Sequence, residues 1–262
     1  NYTYTASAAN GSCVSNPVTT TVTIHSIPSA PGVTPISYCK NATAVPLTAT
    51  GSNLLWYAAA TGGTGNTTAP IPVTTAVGVY HFYVSQTVNG CESPRADLVV
   101  TITDNPTPLI TATPSFTECA GTAINISVPG TFNTVAWTGS AATHLSSTSI
   151  ANPIFSSSAP AGTYTATITV TDNNGCSGSA TQTITIKAIP ATPTVTTTPI
   201  CAGKTLSVST GTVAGATYTW TTPDSYNPGS VNAITRANAT SAMAGTYSVR
   251  VTVNGCQSAP GS

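Results

Sequence analysis

Charged residues are scarce in this sequence: Asp, Glu, Lys and Arg together make up 5% of 262 residues, and the formal net charge is zero. A nucleic-acid-binding protein needs Lys or Arg to neutralise phosphates, and a protein that docks on anionic lipid needs a basic amphipathic helix. The sequence has neither, and its apolar runs are too short to span a bilayer. We therefore expect no nucleic-acid partner and no membrane insertion.

Side chains that could carry catalysis or bind a metal are equally few. The three histidines, His25, His81 and His144, stand alone, and no two of them have the spacing of metal ligands. A glycosidase needs two facing carboxyl groups, and a serine hydrolase of the nucleophile-elbow type needs Gly-x-Ser-x-Gly. The sequence has no such elbow, and its six carboxylates are scattered: Glu92, Asp97, Asp104, Glu118, Asp172 and Asp224. We predict no enzyme, no catalytic residue, no metal site and no cofactor, and leave open a weak cation site at Asp104 or Asp172.

Threonine supplies the polarity that the charged residues do not, with 53 residues in the chain. It is β-branched and fits a pleated, half-exposed surface. Thr alternates with Val and Ile along much of the sequence, and no stretch has a capped helical period. This pattern predicts an all-β fold.

A repeated turn precedes four of the seven cysteines, which are Cys13, Cys91, Cys176 and Cys256. Each follows an Asn-Gly pair directly or by one residue, and alternating runs lie on both sides. Asn-Gly between two such runs is a strong hairpin signal, because both central residues of a type I′ turn need positive φ. The sequence therefore predicts the same hairpin four times.

The other three cysteines, Cys39, Cys119 and Cys201, begin a second series. A single tryptophan follows each of them after 17, 18 and 19 residues, at Trp56, Trp137 and Trp220. Proline-containing joints precede each copy, and proline suits a short, stiff connector. The repeat predicts a tandem array of antiparallel β-sandwiches of about seven strands each. Its parts are the C-terminal half of a truncated module at 1–27, complete modules at 28–105 and 106–188, and a module lacking its last strand at 189–262.

The Cys…Trp…Tyr…Asn-Gly-Cys order resembles the Ig-like and PKD-like repeats of very large bacterial surface adhesins, of the kind that Bacteroidetes-type bacteria export by a type IX route. The resemblance covers essentially the whole chain and implies Ig-like sandwiches. Two features depart from related patterns. The second cysteine lies in a turn and not inside a strand, and the tyrosine precedes it by 9 to 12 residues, so an antibody-style tyrosine corner is not carried over by position. The PKD-type Trp-Asp-Phe-Gly-Asp-Gly motif is absent.

The phase of the repeat predicts one disulfide per module, pairing Cys39 with Cys91, Cys119 with Cys176 and Cys201 with Cys256, although sequence alone does not fix connectivity. Disulfides imply an oxidising, extracellular setting. Trp56, Trp137 and Trp220 are expected to be core residues of their modules. Tyr57, Tyr83 and Tyr226 are the candidates for aromatic side chains that face a ligand, since exposed rings can stack on sugars.

We expect a non-enzymatic structural segment of an adhesin stalk or fibre, located at the cell surface. Its partners would be neighbouring modules of the same longer chain, other copies in a fibre, and a glycan or surface ligand. The alternative is a set of carbohydrate-binding accessory modules of a secreted protein.

Both ends of the chain are expected to be open. Residues 1–27 hold only the last two strands of a module, and the partner of Cys13 would lie upstream. The module at 189–262 lacks a closing strand. We expect the polypeptide to continue, and the alternative is that a neighbouring copy donates its Val18–Ile24 strand.

Overall fold

The computed structural model describes residues 1–262, and almost all of its regular structure is β: 23 strands and two short 3₁₀ helices. The reason is visible in the long strand Gly162–Thr171, where Ala166, Ile168 and Val170 are buried and the residues between them are more exposed. This two-residue period places apolar side chains on one face of a sheet and threonines on the other. The predicted all-β fold class is confirmed.

The chain divides into two compact units. The first contains residues 1–105 together with Asn173–Cys176, and the second contains residues 106–172 and 177–262. Three hydrophobic cores are present, one among residues 33–102, one among 110–186 and one among 195–253. We refer to residues 28–105, 106–188 and 189–262 as the first, second and third segments. Each segment contains one of the three cores.

Residues 1–27 form two antiparallel ribbons. Strands β1 and β4 pair from Tyr2 opposite Val22 to Ala6 opposite Val18, and β2 pairs with β3 around the turn at Gly11. The strands are β1 Tyr2–Ala6, β2 Ala9–Asn10, β3 Cys13–Val14 and β4 Val18–Val22. Every residue of these strands is exposed, so the ribbons have no second layer over them.

The first segment has six strands: β5 Ile36–Cys39, β6 Leu55–Tyr57, β7 Gly78–Ser85, β8 Thr87–Val88, β9 Cys91–Glu92 and β10 Ala96–Thr103. Its main sheet has the order β5-β10-β7-β6, in which β5 runs parallel to β10 and the other pairs are antiparallel. Opposite this sheet the chain is extended but makes few ladder bonds, such as the Gly32–Thr50 bridge and the Leu47 amide to the Pro70 carbonyl. Prolines in these stretches lack the amide that a regular ladder requires. The segment thus has one strand fewer than predicted.

The second segment has the seven strands that the sequence predicted: β11 Thr111–Thr113, β12 Thr117–Cys119, β13 Ile124–Ser127, β14 Thr134–Thr138, β15 Ile154–Phe155, β16 Gly162–Thr171 and β17 Ser177–Lys187. They form two sheets with orders β11-β13-β15 and β12-β17-β16-β14, and a 3₁₀ helix lies at Ala142–His144. The strand β12 pairs in parallel with the end of β17, as β5 does with β10. The core between the sheets includes Phe155, Ile168 and Trp137.

The third segment contains β18 Val195–Thr197, β19 Leu206–Thr210, β20 Thr217–Thr221, β21 Ala233–Arg236, β22 Ser248–Val253 and β23 Cys256–Gln257. Its sheets have the orders β18-β19-β21 and β20-β22-β23, and a 3₁₀ helix lies at Ser241–Met243. Val208, Ile234 and Val249 are fully or almost fully buried between the sheets.

The predicted Asn-Gly hairpins are confirmed at two places in full conformational detail. Asn89 and Gly90 have φ of 48° and 79°, and Asn254 and Gly255 have φ of 50° and 84°. These left-handed pairs are the conformation that a type I′ turn demands. At the other two turns only the glycines, Gly11 and Gly175, have positive φ.

Candidate functional site: cysteine junctions and an aromatic cluster

The first disulfide joins Cys39 to Cys176, with the two Cα atoms 5.4 Å apart and 137 residues between them in sequence. Cys39 is the last residue of β5, where β5 lies beside the end of β10 and Cys39 is opposite Thr103. Cys176 comes from the tip of the hairpin between β16 and β17. The Thr103 hydroxyl lies 3.1 Å from its sulfur. The bond therefore joins the end of the closing strand of one segment to a hairpin of the next.

The second disulfide repeats this arrangement between Cys119 and Cys256, again 137 residues apart. Cys119 is the last residue of β12 and lies opposite Lys187 at the end of β17. Cys256 directly follows the Asn254-Gly255 turn and is fully buried. The Lys187 ammonium donates a hydrogen bond of 3.0 Å to the Asn254 carbonyl, which fixes the turn beside the strand end.

The predicted pairing within each module is therefore wrong for these four cysteines, and the reason is the length of the closing strand. In the first segment Cys39 lies at the end of the eight-residue β10, whereas Cys91 comes before its beginning. Eight residues of strand span about 26 Å, but disulfide-bonded residues need Cα atoms within about 7 Å. In the second segment the 11-residue β17 separates Cys119 from Cys176 in the same way.

Three cysteines are unpaired: Cys13, Cys91 and Cys201. The predicted disulfide partners Cys91 and Cys201 thus stand without a bond, a second correction to the sequence-based pairing. Cys13 and Cys201 are exposed, and Cys91 is half-buried with its sulfur 3.9 Å from the His25 carbonyl oxygen.

All three tryptophans lie in the cores. Trp56, Trp137 and Trp220 are 5%, 3% and 8% exposed. The indole N–H of Trp137 donates to the Ile150 carbonyl at 2.8 Å, and that of Trp220 donates to the Val231 carbonyl at 2.7 Å. These two rings are therefore buried with their single polar atom satisfied, as a buried indole requires.

A tyrosine in each segment has a structural role that the sequence analysis did not assign. The hydroxyls of Tyr80, Tyr164 and Tyr247 donate to the carbonyl four residues earlier, at 3.0, 2.7 and 2.9 Å. Such a bond holds the chain at the entry to the strand, as the tyrosine corner of β-sandwiches does. The Gly-x-Tyr motif that Gly162–Tyr164 and Gly245–Tyr247 share is the sequence signal from which this role of the tyrosine could have been predicted.

Tyr57, a predicted ligand-facing residue, is instead largely buried within a polar cluster. Its hydroxyl donates to the Glu92 carboxylate at 2.5 Å, and the Ser85 hydroxyl donates to the same oxygen at 2.6 Å. The Arg95 guanidinium lies 3.3 Å from the centre of the Tyr57 ring. The cation covers one face of the ring, and Tyr57 also lines the cavity beside Trp56 and Tyr80, so its ligand-facing role stays a prediction.

This cluster lowers the pKa of Glu92. The hydrogen bonds from Ser85 and Tyr57 are the main causes, and the charge of Arg95 adds to them. All three interactions favour the ionised carboxylate. Because the pKa is lower in the folded protein than in the unfolded chain, the carboxylate stabilises the fold above about pH 4.5, and this contribution is lost as the pH falls through the lowered folded value.

Replacing Tyr57 by Phe should therefore lower the unfolding free energy by about 1 kcal/mol near pH 7. This loss should shrink as the pH falls through the lowered pKa of Glu92, where the carboxylate becomes protonated. Urea unfolding near pH 7 and at the lowest pH at which the protein stays folded measures it. Tyr80→Phe is the matched control, because its hydroxyl bonds a neutral carbonyl and its loss should not depend on pH. An equal Tyr57→Phe loss at both pH values would contradict the assignment.

The other two candidate tyrosines are only partly available. Tyr83 is half-buried and stacks beside His81, which in turn pairs with Asp97 at 2.9 Å. Tyr226 is exposed, with the Arg236 guanidinium 4.3 Å from its ring centre. One face of each ring is thus occupied by a neighbouring side chain.

The first segment has a cavity of about 500 Å³ that is lined largely by aromatic side chains. Its walls include Trp56, Tyr57, Tyr80 and Phe82, together with Pro70 and His81. The cavity contains apolar and aromatic surface and few polar groups, a composition that suits a small ligand with one apolar face.

Sandwiches of β-strands built around a tryptophan, repeated along the chain and carrying disulfides, define an Ig-like protein of the structural and adhesion type, formed outside reducing compartments. Residues 28–106 match the family described as "Ig-like domain CHU_C associated". The resemblance to Ig-like repeats of bacterial surface proteins is thereby confirmed for these residues.

Several solved structures are similar to the chain at low identity. Murine CEACAM1b is 14% identical over 59% of this chain and 97% of its own, with a TM-score of 0.34. Domains from titin are 12% identical over 89% and 94%, also with a TM-score of 0.34. Fibronectin(III)-like modules of Clostridium thermocellum CbhA are 16% identical over 62% and 92%, with a TM-score of 0.31.

No protein of curated function matches the sequence. None of the helices in the structure has the length and apolar character needed to cross a membrane.

Proposed function

We propose that the chain is a spacer segment of an extracellular bacterial surface adhesin, in which disulfides link each Ig-like module covalently to the next. The observation that carries this proposal is the pair of disulfides with the same 137-residue separation, each from the first cysteine of one segment to the hairpin cysteine of the following one. A disulfide inside a module would stabilise that module alone. A bond between consecutive segments also limits how far the joint between them can open.

The energy of these bonds supports a mechanical role. Closing a loop of 137 residues stabilises the folded state by about 5 kcal/mol in the chain-entropy model. The two loops overlap between Cys119 and Cys176, so unfolding the second segment leaves it tied at both positions. Such a segment resists extension even when its core has opened.

The division into modules at 28–105, 106–188 and 189–262, preceded by part of a module at 1–27, belongs to the same proposal. Its support is the presence of one core, one buried tryptophan and one tyrosine-to-carbonyl bond in each of the three segments. The partners would be neighbouring modules and other copies in a fibre at the cell surface. The chain would act without a catalytic site of its own.

A second candidate function is carbohydrate binding by the first segment, and the observation that favours it is the aromatic cavity of about 500 Å³ beside Trp56 and Tyr80. Aromatic walls can stack on the apolar face of a sugar ring. His81 lines the cavity and is hydrogen-bonded to Asp97, and its ring could exchange hydrogen bonds with hydroxyl groups.

A glycan array and affinity electrophoresis with the purified 262-residue chain separate the two functions. A spacer should show no saturable binding. Saturable binding that His81→Ala abolishes, and that Tyr226→Ala in the third segment leaves intact, would replace the spacer proposal by the carbohydrate-binding one. Both positions are exposed, so neither substitution should disturb a core.

A further inference from the structure

One face of the second segment is built almost entirely from hydroxyl side chains. Strands β16 and β17 pair so that five cross-strand pairs face outward, and every member of these pairs is threonine or serine. The pairs are Thr163 with Thr185, Thr165 with Thr183, Thr167 with Thr181, Thr169 with Ser179, and Thr171 with Ser177. The neighbouring strands extend the surface by four residues, which are Thr134, Ala136 and Thr138 of β14 and Thr117 of β12. We refer to this surface as the hydroxyl face.

The hydroxyl face is exposed and carries no charge in its interior. Most of its residues are exposed, and only Thr167, Thr171 and Thr185 are half-buried. Charged residues occur only at the ends of these strands. Glu118 lies opposite the buried Ile186 and so belongs to the other side of the sheet. Lys187 ends β17, where its ammonium already donates to a carbonyl. The face therefore offers hydroxyl and methyl groups and no ion.

The matching face of the first segment has a different composition. There the outward pairs of β7 and β10 include Tyr83 with Asp97 and His81 with Val99. His81 and Asp97 form a pair at 2.9 Å. An uncharged array of hydroxyls is thus a property of the second segment, and it does not follow from the threonine-rich composition alone.

Hydroxyl groups suit contact with an identical surface, because each can both donate and accept a hydrogen bond. Two such faces can bond in many relative positions, and no like charges are brought together. Within the face the hydroxyls of Thr167 and Thr181 already bond each other at 3.0 Å, and those of Thr171 and Ser177 at 3.1 Å. The threonine methyl groups add apolar surface that leaves water on contact.

The size and twist of the hydroxyl face also fit a second copy. Ten residues of strand, as in β16, span about 33 Å, and four strands are about 19 Å wide. Two such faces would bury up to about 1,200 Å² in total, the lower end of the range for specific interfaces. Sheets with the same twist pack face to face with their strands about 30° apart. The twist of the sheet is therefore no obstacle to pairing.

Other classes of partner lack a matching feature on this surface. The face has no aromatic ring to stack on a sugar. It has no cluster of Lys or Arg to bind phosphate or anionic lipid. An identical hydroxyl face needs neither of these groups.

We propose that the hydroxyl face of the second segment binds the same face of a second copy of this chain, in a symmetric pair. The contact is isologous, so each copy contributes the same residues. A polar interface of this size gives weak binding, with a Kd of about 10 µM to 1 mM. The inference rests on the proposed spacer function for its meaning and deepens it, because it names the surface through which neighbouring spacers associate side by side.

Sedimentation equilibrium of the purified chain measures the pairing. The unpaired cysteines are first alkylated without reductant, so that covalent dimers do not contribute and both disulfides stay intact. The chain should dimerise reversibly in the stated range of Kd. Thr181→Lys places a cation in the middle of each face, where like charges then meet, and should raise the Kd at least about tenfold. Thr181→Glu should do the same, and circular dichroism verifies that both variants are folded.

Asn125→Lys is the matched control. Asn125 is exposed in β13, on the outer side of the other sheet of the same segment, so the substitution adds the same charge away from the hydroxyl face. Its Kd should stay within about twofold of the unmodified value. A chain that remains monomeric up to about 1 mM, a dimer that neither Thr181 variant weakens, or an equal loss with Asn125→Lys would overturn the proposal.

A signal on a glycan array that Thr181→Lys abolishes, in a chain that stays monomeric, would also overturn it and assign the hydroxyl face to a carbohydrate. None of these results would touch the spacer function. That function depends on the two disulfides within one chain and is tested by stretching single molecules.

Discussion

Reduction of the two disulfides should lengthen the fully stretched chain by about 560 Å. In the oxidised protein the shortest covalent path runs from Cys39 across to Cys176, back to Cys119 and across to Cys256. That path contains about 57 residues of backbone, whereas the reduced chain has about 217 residues between Cys39 and Cys256. About 160 residues therefore bear no tension in the oxidised protein, and each adds roughly 3.5 Å when the bonds are reduced. Single-molecule pulling from the two termini, with and without reductant, measures this difference in contour length.

Single substitutions distinguish this connectivity from disulfides within modules, which would shield a similar total number of residues from tension. Cys39→Ser removes the Cys39–Cys176 disulfide, but the Cys119–Cys256 disulfide alone still shields about 137 residues from tension. The variant should therefore gain only about 80 Å of contour length, at roughly 3.5 Å per residue. A disulfide from Cys39 to Cys91 would release about 52 residues, or about 180 Å. Cys13→Ser should change nothing, since Cys13 is unpaired.

If the oxidised chain stretched as far as the reduced one, the proposed spacer function would fail together with the disulfide assignment. Peptide mapping under non-reducing conditions would then be expected to find no fragment that joins Cys39 to Cys176 or Cys119 to Cys256, because either bond, if intact, shortens the covalent path.

Local sequence signals predicted the elements whose cause is local. The Asn-Gly turns at 89–90 and 254–255 require left-handed backbone at both residues, a demand of the dipeptide itself. The alternation in Gly162–Val170 likewise indicated both the strand and its buried face. The stretches that pack against the main sheet of the first segment were less predictable. Prolines such as Pro70 and Pro72 lie in them and interrupt the hydrogen-bond ladder.

The disulfides could not be predicted because they depend on distance along a strand and on the neighbouring segment. Two regularly spaced series of cysteines are compatible with disulfides inside a repeat and with disulfides between repeats. In both cases each bond joins one cysteine of the first series to one hairpin cysteine. The decisive fact is that Cys39 pairs beside Thr103, at the end of β10 far from Cys91. Parallel pairing of a short opening strand with a closing strand has no local signature.

Tyr57 shows why exposure was hard to infer for single aromatic side chains. It follows Trp56 in a strand, so the period of two places it on the face away from the core. That face is covered by Arg95 and by the hydrogen bond to Glu92. These partners lie 35 or more residues later, on the far side of a hairpin, and one arginine and one glutamate among six cations and six anions give no pattern to read.

Trp137→Ala should lower the unfolding free energy by about 3–5 kcal/mol, the cost of removing a large buried ring and leaving a cavity. The ring is 3% exposed, lies opposite Ile168 in the pair β14–β16, and donates its N–H to the Ile150 carbonyl. Ala136 and Thr138 beside it are too exposed to fill the space. The loss should be measured by urea unfolding followed by circular dichroism, with the disulfides intact in both proteins.

Two further variants separate the causes of that loss. Thr138→Ala changes an exposed neighbour on the same strand and should stay within about 0.5 kcal/mol. Trp137→Phe keeps much of the apolar volume but leaves the Ile150 carbonyl without its donor, so its loss should be smaller than that of the alanine variant. A loss below about 1 kcal/mol for Trp137→Ala would place the ring at the surface. The carbohydrate-binding interpretation would then gain, because a stacking platform loses little stability when its ring is removed.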